Sequence, residues 1–532
     1  MAALALAGFA GYRVVFGRTA EGALALIPAD AQAIVLVDMA PVDPSQAMVF
    51  HQIDSELDST GLSKMFNDAF MSANGNHSPT ASKLASLLRR SGAIALFDEK
   101  KGQGVALIGL TDPGEAQRIL EKEGKPQFWK GLRYWTLPQG GKAAIRVEGD
   151  WMVLSDSGAS LLKLRRVEQG QEASAADDAG IQAARKGIGG PANLEVLASP
   201  SLFPMPEKAP KTVGWIACGG VVRDGGLAIT SRVRLDTATL GEYAALFRTT
   251  PLSAQPLEQL PSGAYGVMAL AQPGEAIKSV QKDLNFDVGD RKDMAEAIGL
   301  DLDSDIIPAL QGETTLAAYP DAQGGGIDGL FVISDAHGAT PGAAVKKFRE
   351  HVEGQIAQHH DESPFVSIQI EGTQEAWRLS PKIEEDMKPH SDGGPVDTDR
   401  LTKDKTMAWA IVGDRVIAAT NESLLRRAIA AKDQPLSSEP LFASSFADGP
   451  QYAFAADPAR VASGIRKTLR LDKMETQPRK MVDGMLKLFE GLKDPLALKA
   501  SLRPDGTVVG EAVVPLDWVR TIRFIGDTAN KH

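Results

Sequence analysis

Residues 299–313 read GLDLDSDIIPALQGE, with aspartates alternating at Asp301, Asp303 and Asp305. Oxygen ligands at positions 1, 3 and 5 open a calcium loop of the EF-hand type. Such a loop then needs Gly at position 6 for its sharp turn and a bidentate Glu at position 12. Counted from Asp301, those positions hold Ile306 and Gly312, and Pro308 interrupts the loop. The turn and the bidentate ligand are both missing, so the pattern is not a calcium loop. It reads instead as a helix start: Asp305 caps a short helix over IIPAL, with Pro308 in the first turn, where its missing N–H costs nothing. Leu300, Leu302, Ile306 and Leu310 are then expected to face the core.

The other residues able to do chemistry are few. His351, His359 and His360 lie near Asp361 and Glu362. His351 and His359 are about two helical turns apart, a wider spacing than the HExxH of zinc helices. The group reads as a solvated helix end. Cys218 stands alone in the apolar run GWIACGGVV, which reads as core filler. A single thiol makes no intramolecular disulfide and no CxxC pair. The glycine pairs Gly189-Gly190 and Gly219-Gly220 and the run 324–326 make no GxxxxGK[ST]; Gly324, Gly326 and Gly329 do spell GxGxxG, but they fall between two strands with no helix following, so a hairpin turn explains them, and GxSxG is absent. Glu384 and Glu385 lie in a polar stretch that offers no rigid placement for acid–base work. No catalytic, cofactor-binding or metal-binding residue is therefore assigned, and no cofactor is expected.

The elements around these residues belong to a chain of 532 residues, long enough for two to four domains. Its composition, 43% hydrophobic and 23% charged, is that of a globular protein. A formal net charge of −11, with no basic run, argues against a nucleic-acid partner. The opening MAALALAGFAGYRVVFGRTAEG is apolar until Arg13. It is shorter than a membrane span and has no positive charge before it. Residues 1–23 read as an N-terminal anchor or export segment whose start lies upstream.

Internal similarity organises the rest. LIPADAQAIVLVDMAP (26–41) is echoed by QLPSGAYGVMALAQPG (259–274), and residues 92–123 by 312–353 as strand, Gly-rich turn, strand and helix. Residues 134–166 are echoed by 377–380 with 406–429, with Gly149-Asp150 and Gly413-Asp414 at the hairpin turns. Residues 218–236 are echoed by 498–517, with Asp224-Gly225 and Asp505-Gly506 as turns. Four blocks in one order predict two tandem homologous lobes, 24–250 and 251–520, and a short tail over 521–532. The expected class is α+β, with mainly antiparallel sheets built from hairpins and flanked by helices. Residues 169–193 and the insertion 381–405 read as mobile loops.

The segment GLDLDSDIIPALQGE, with the opening IPADAQAIVLVD (27–38), resembles a bacterial membrane-anchored envelope family known only as a domain of unknown function. The resemblance spans both lobes, although the first lobe lacks the aspartate series. It implies an inner-membrane tether with the bulk of the chain in the periplasm or extracytoplasmic space. It brings no catalytic residues. The expected function is a non-catalytic module that binds an envelope or cell-wall partner or supports envelope assembly. The alternative is an enzyme or small-molecule carrier with a cleft between the lobes. A grooved apolar surface favours the first, and a pocket lined by buried His, Asp or Glu the second.

Overall fold

The computed structural model describes residues 20–529 except 40, 42–45, 60–78, 99–102, 138–142, 203–210, 254, 281–294, 322–325, 335–339, 357–362, 364, 380–405, 470, 472–473 and 475. The insertion 381–405, residues 1–19 and His359 to Glu362 thus lie outside the described residues. The chain divides into two compact units, Met1–Thr239 with Leu516–His532, and Leu240–Pro515. The boundaries fall at 240 and 516, against the expected 251 and 521.

Among the described residues the first unit has ten strands: β1 (Ala33–Asp38), β2 (Leu88–Asp98), β3 (Gln103–Leu110), β4 (Lys125–Trp129), β5 (Leu132–Thr136), β6 (Ala144–Glu148), β7 (Trp151–Ser155), β8 (Leu194–Ala198), β9 (Ile216–Arg223) and β10 (Gly226–Arg234). They pair antiparallel in the order β4-β5-β6-β7-β3-β2-β1-β8-β9-β10. Strand β1 alternates half-buried and buried residues along its whole length, as a strand with one face on the core should. Ile34, Leu36, Leu107, Val153 and Leu197 meet Leu161 and Leu164 of α3 (Gly158–Glu168) and Ile181 and Ala184 of α4 (Ala179–Gly187) in one cluster. Helices α1 (Ala47–Ser59) and α2 (Pro113–Glu123) pack in two further clusters, through Phe50 and through Leu120.

Helix α4 corrects the reading of 169–193 as a mobile loop. Asp178 caps it by accepting from Ile181 N, and Ile181, Ala184 and Arg185 are buried. Only one of those buried residues is a large apolar side chain, so the periodicity is nearly silent in sequence. The guanidinium of Arg185 is fixed by Glu195, through Nε to Oε2 at 2.6 Å and Nη2 to Oε1 at 3.0 Å.

The second unit repeats the count: β11 (Gly266–Leu270), β12 (Thr314–Pro320), β13 (Ile327–Ser334), β14 (Phe365–Ser367), β15 (Glu375–Leu379), β16 (Ala408–Val412), β17 (Arg415–Ala419), β18 (Tyr452–Ala456), β19 (Leu496–Leu502) and β20 (Thr507–Pro515). Their order is β14-β15-β16-β17-β13-β12-β11-β18-β19-β20, again antiparallel throughout. The predicted turns are in place. Gly149 (φ 53°) and Gly413 (φ 61°) open tight turns, and Gly225 (φ 86°) and Gly506 (φ 83°) follow their aspartates. All four sit in the left-handed region that glycine enters without a Cβ clash. The core gathers Val267, Ala269, Ala317, Tyr319, Leu330 and Ile417 against Leu424, Leu425 and Phe442. Tyr319 is fully buried, and its hydroxyl donates to the Pro261 carbonyl at 2.9 Å. The helices of this unit include α5 (Thr340–Ile356), α6 (Glu422–Ile429), α7 (Pro458–Thr468) and α8 (Thr476–Glu490).

The expected tail over 521–532 is, as far as it is described, the greater part of a helix, α9 (Trp518–Ala529), and it belongs to the first unit. Ile522 packs with Val49, Phe50, Ile53 and Val222, while Arg523 bonds Glu56 at 2.8 and 2.5 Å. The class is therefore α+β with antiparallel sheets.

Candidate functional site: an apolar groove in the second unit

The residues singled out from sequence are structural. Asp301, not Asp305, is the cap. Its Oδ1 accepts from Asp303 N at 3.1 Å and Ser304 N at 2.8 Å. The first turn is a wide one, with Ile306 N reaching back to Asp301 O at 3.1 Å, before the chain tightens over Ile307–Ala309. Burial follows that shift: Leu302, Ile307 and Ala309 are buried, whereas Leu300, Ile306 and Leu310 are half-buried. Asp305 turns back to accept from Asp301 N and from Lys347 Nζ, at 2.8 and 2.5 Å. These bonds hold both carboxyls below the usual range: the Ser304 amide chiefly for Asp301, the Lys347 ammonium chiefly for Asp305. A carboxylate so engaged acts as a cap and an ion-pair partner.

His351 stands on α5 with Nε2 3.0 Å from the Glu296 carbonyl. Gly299, at φ 71°, fits beneath it; a Cβ there would come 2.3 Å from His351 Cγ. The histidine packs against a helix end. Cys218 is half-buried on β9 rather than core, and burial pushes its thiol up. Among the described residues, no three His, Cys, Asp or Glu side chains converge as a metal site would require.

Sequence reading missed a groove of about 520 Å³ in the second unit. Its floor is the face of the sheet turned away from the core. Val267, Ala269, Ala317, Ala453 and Ala455 point into the core, so their neighbours along each strand point out. Register lines those neighbours up in rows. Gly266 pairs with Ala318 on one side and Ala456 on the other, giving a row of very small residues across three strands. Two residues along, Met268 pairs with Leu316 and Phe454, giving a row of large ones. The step from large to small is the trench. Ile327 closes its far corner, and α7 supplies the wall with Val461, Gly464, Ile465, Thr468 and Leu469.

The wall is firmly held. Asp457 caps α7 by accepting from Arg460 N at 3.0 Å, and Pro458 occupies the first helical position. Arg460 donates to the Ala264 carbonyl at 3.2 Å and pairs with Glu439 at 2.8 Å. Gly464 lets the helix approach Tyr265; a Cβ there would stand 2.5 Å from Tyr265 Oη. Arg466 binds Glu490 at 2.6 Å and Asp483 at 2.5 Å, bracing α7 on α8. Those bonds, Glu490 foremost, raise the guanidinium further, while Lys487 and Arg466 lower Asp483 to about 2.

The lining is apolar apart from two hydroxyls. Thr468 donates to the Gly464 carbonyl at 3.0 Å. Tyr265 is 8% exposed, and burial followed by Asp321 raises its phenol. Leu316, Ile327 and Ile465 are 46%, 52% and 41% exposed, so the groove opens to solvent. On α8, Met481, Met485 and Phe489 recur at i, i+4 and i+8 as a further exposed apolar stripe. Such an arrangement can bind apolar matter; it presents no nucleophile and no acid–base pair.

No protein-family model matches the chain, and no curated protein matches it. Solved structures of TP0453 show a partial likeness. Crystal form IV is 9% identical with a TM-score of 0.22, covering 40% of this chain and 79% of that one. Form III is 9% identical with a TM-score of 0.22, covering 43% and 88%. A TM-score of that size does not define a common fold.

Proposed function

We propose that the chain is a non-catalytic module of the bacterial cell envelope, made of two tandem homologous lobes. In this reading the residues before Ala20 tether it to the inner membrane, since Ala20 and Ala23 of the expected anchor 1–23 are buried in the core of the first unit, and the bulk lies in the periplasm and binds a partner through the groove. The observation that carries the binding role is the groove itself: an open apolar concavity of about 520 Å³, within the range of roughly 300–1,000 Å³ for ligand sites. Exposed apolar surface of this kind marks interaction sites. The duplication is supported by the shared strand order, ten strands in each unit joined in the same sequence of pairings. The tether is supported by the apolar opening and by the family resemblance.

Fractionation of the tagged full-length chain tests the tether. Recovery in the inner-membrane fraction, with protease access only from the periplasmic side, is the expected result; recovery in the cytosol refutes it. A photo-crosslinking residue at Ile327 tests the groove. It should capture an adduct that the same residue at exposed Glu121 does not, and identical labelling from both positions removes the groove from the function.

A further inference from the structure

We propose that the groove is a binding site for one linear hydrocarbon chain, the acyl tail of a lipid. The inference rests on reading the groove as the binding surface and names what it takes.

The shape of the groove suits a chain. The small-residue row Ala318–Gly266–Ala456 runs across three strands, between the larger Met268, Leu316 and Phe454 and the wall of α7. The trench is thus elongated and a single residue row wide. Alternate residues along a strand are about 7 Å apart, so the trench is narrower than a helix with its side chains, about 10–12 Å across. A linear chain fits such a slot and a helix does not.

Hydrogen bonding disfavours a peptide. An extended peptide would fit the width, but it would carry its own amides into the slot. The floor strands cannot pair with them. Strand β12 lies between β13 and β11, β11 between β12 and β18, and β18 between β11 and β19, so their backbone groups are already spent. Buried amides without partners oppose binding. A hydrocarbon brings none, and each methylene it buries favours the complex.

The groove also offers one polar handle. Among the described residues the Tyr265 hydroxyl makes no hydrogen bond, although the residue is more than nine-tenths buried and lines the groove. One hydroxyl suits one carboxyl or ester oxygen at the head of a chain.

The test uses purified full-length protein and cis-parinaric acid, a fluorescent fatty acid. Saturable binding of one probe per chain is expected, with displacement by palmitate. Ala318→Leu fills the trench floor and should weaken binding at least tenfold with an unchanged melting temperature. The first unit already carries a leucine, Leu96, at the paired position beside β1, so a sheet of this kind accommodates it. Should that variant fail to fold, Leu316→Gln at the exposed rim gives the same readout. Glu121→Gln, exposed on the first unit and away from the groove, should bind as the parent does. Native mass spectrometry of protein taken from membranes separates the sources: a free fatty-acid mass or a glycerolipid mass each supports the proposal and assigns the donor. Unsaturable probe binding, or parental affinity in a well-folded Ala318→Leu variant, overturns it. Envelope location and crosslinking at Ile327 are read separately, so the groove can bind a protein partner while the acyl-chain proposal fails.

Discussion

Arg185 and Glu195 form a two-bond ion pair that is 4% and 2% exposed, with Ala192 N donating to the same carboxylate at 3.0 Å. Burial opposes the guanidinium charge, yet the bonds it makes to Glu195 and, at 3.1 Å, to Glu21 together outweigh it and raise Arg185. Arg185→Met strands a buried carboxylate and should destabilise the first unit by about 3–5 kcal/mol. Arg185→Met with Glu195→Leu removes both charges and should recover much of that loss, as chemical denaturation will show. Equal losses in the single and double variants would mean that the pair adds nothing beyond packing. Asp305 makes a pH prediction. Its folded value lies below the ordinary 3.8 because Lys347 and the Asp301 amide bond the ionised form. A depressed carboxyl contributes stability that is fully present above the unfolded value and is lost as pH falls through the folded one. The melting-temperature gap between parent and Asp305→Asn should therefore be constant at neutral pH and close below about pH 3.8. The gap is small, under about 1 kcal/mol, since Lys347 is half exposed. Calorimetry should show no calcium binding at this turn; a site abolished by Asp303→Ala would reverse that reading.

At the scale of elements, α7 is the piece that makes a flat sheet face into a groove. Its cap, Asp457, bonds both the Arg460 amide and, at 3.1 Å, the Arg460 guanidinium. Asp457→Ala should cost about 1 kcal/mol. It should also raise amide exchange along 458–468 before it affects β11 or β18, which lie inside the sheet. Gly464→Val should act differently: its side chain meets the Tyr265 ring, so α7 is lifted and parinarate affinity falls more than stability does. Uniform exchange protection in both variants would show that α7 is not an independent wall.

At the scale of the molecule, the C-terminal helix serves the first unit, although the second unit supplies all the sequence immediately before it. Trp518 Nε1 donates to the Arg223 carbonyl at 3.1 Å, and Ile522 covers Phe50 and Ile53. A chain ending at Pro515 should lose the melting transition of the first unit, or shift it down, because burying Ile522 alone is worth about 1.5–3 kcal/mol. The transition of the second unit should stay. Calorimetry with domain-specific proteolysis checks this, and equal loss in both units would mean that they unfold as one.

Hairpins, turns and the antiparallel α+β class were legible in the sequence because they depend on neighbours: alternation along a strand, Gly-Asp or Asp-Gly at a turn. The order of the blocks was legible for the same reason, as each block is a local unit. Helix α4 was not, because its few buried residues are small or charged and its burial depends on a distant glutamate. The cap at 301–305 was displaced by four residues because which aspartate turns inward depends on Lys347, on another helix. The groove lay beyond sequence altogether. Gly266, Ala318 and Ala456 look like ordinary strand residues one at a time. Only the pairing of β12, β11 and β18 sets them side by side on one face, and only the packing of α7 through Gly464 turns that row into a slot. Register between distant strands is set by the sheet as a whole, so the depth of the groove is a property of tertiary structure.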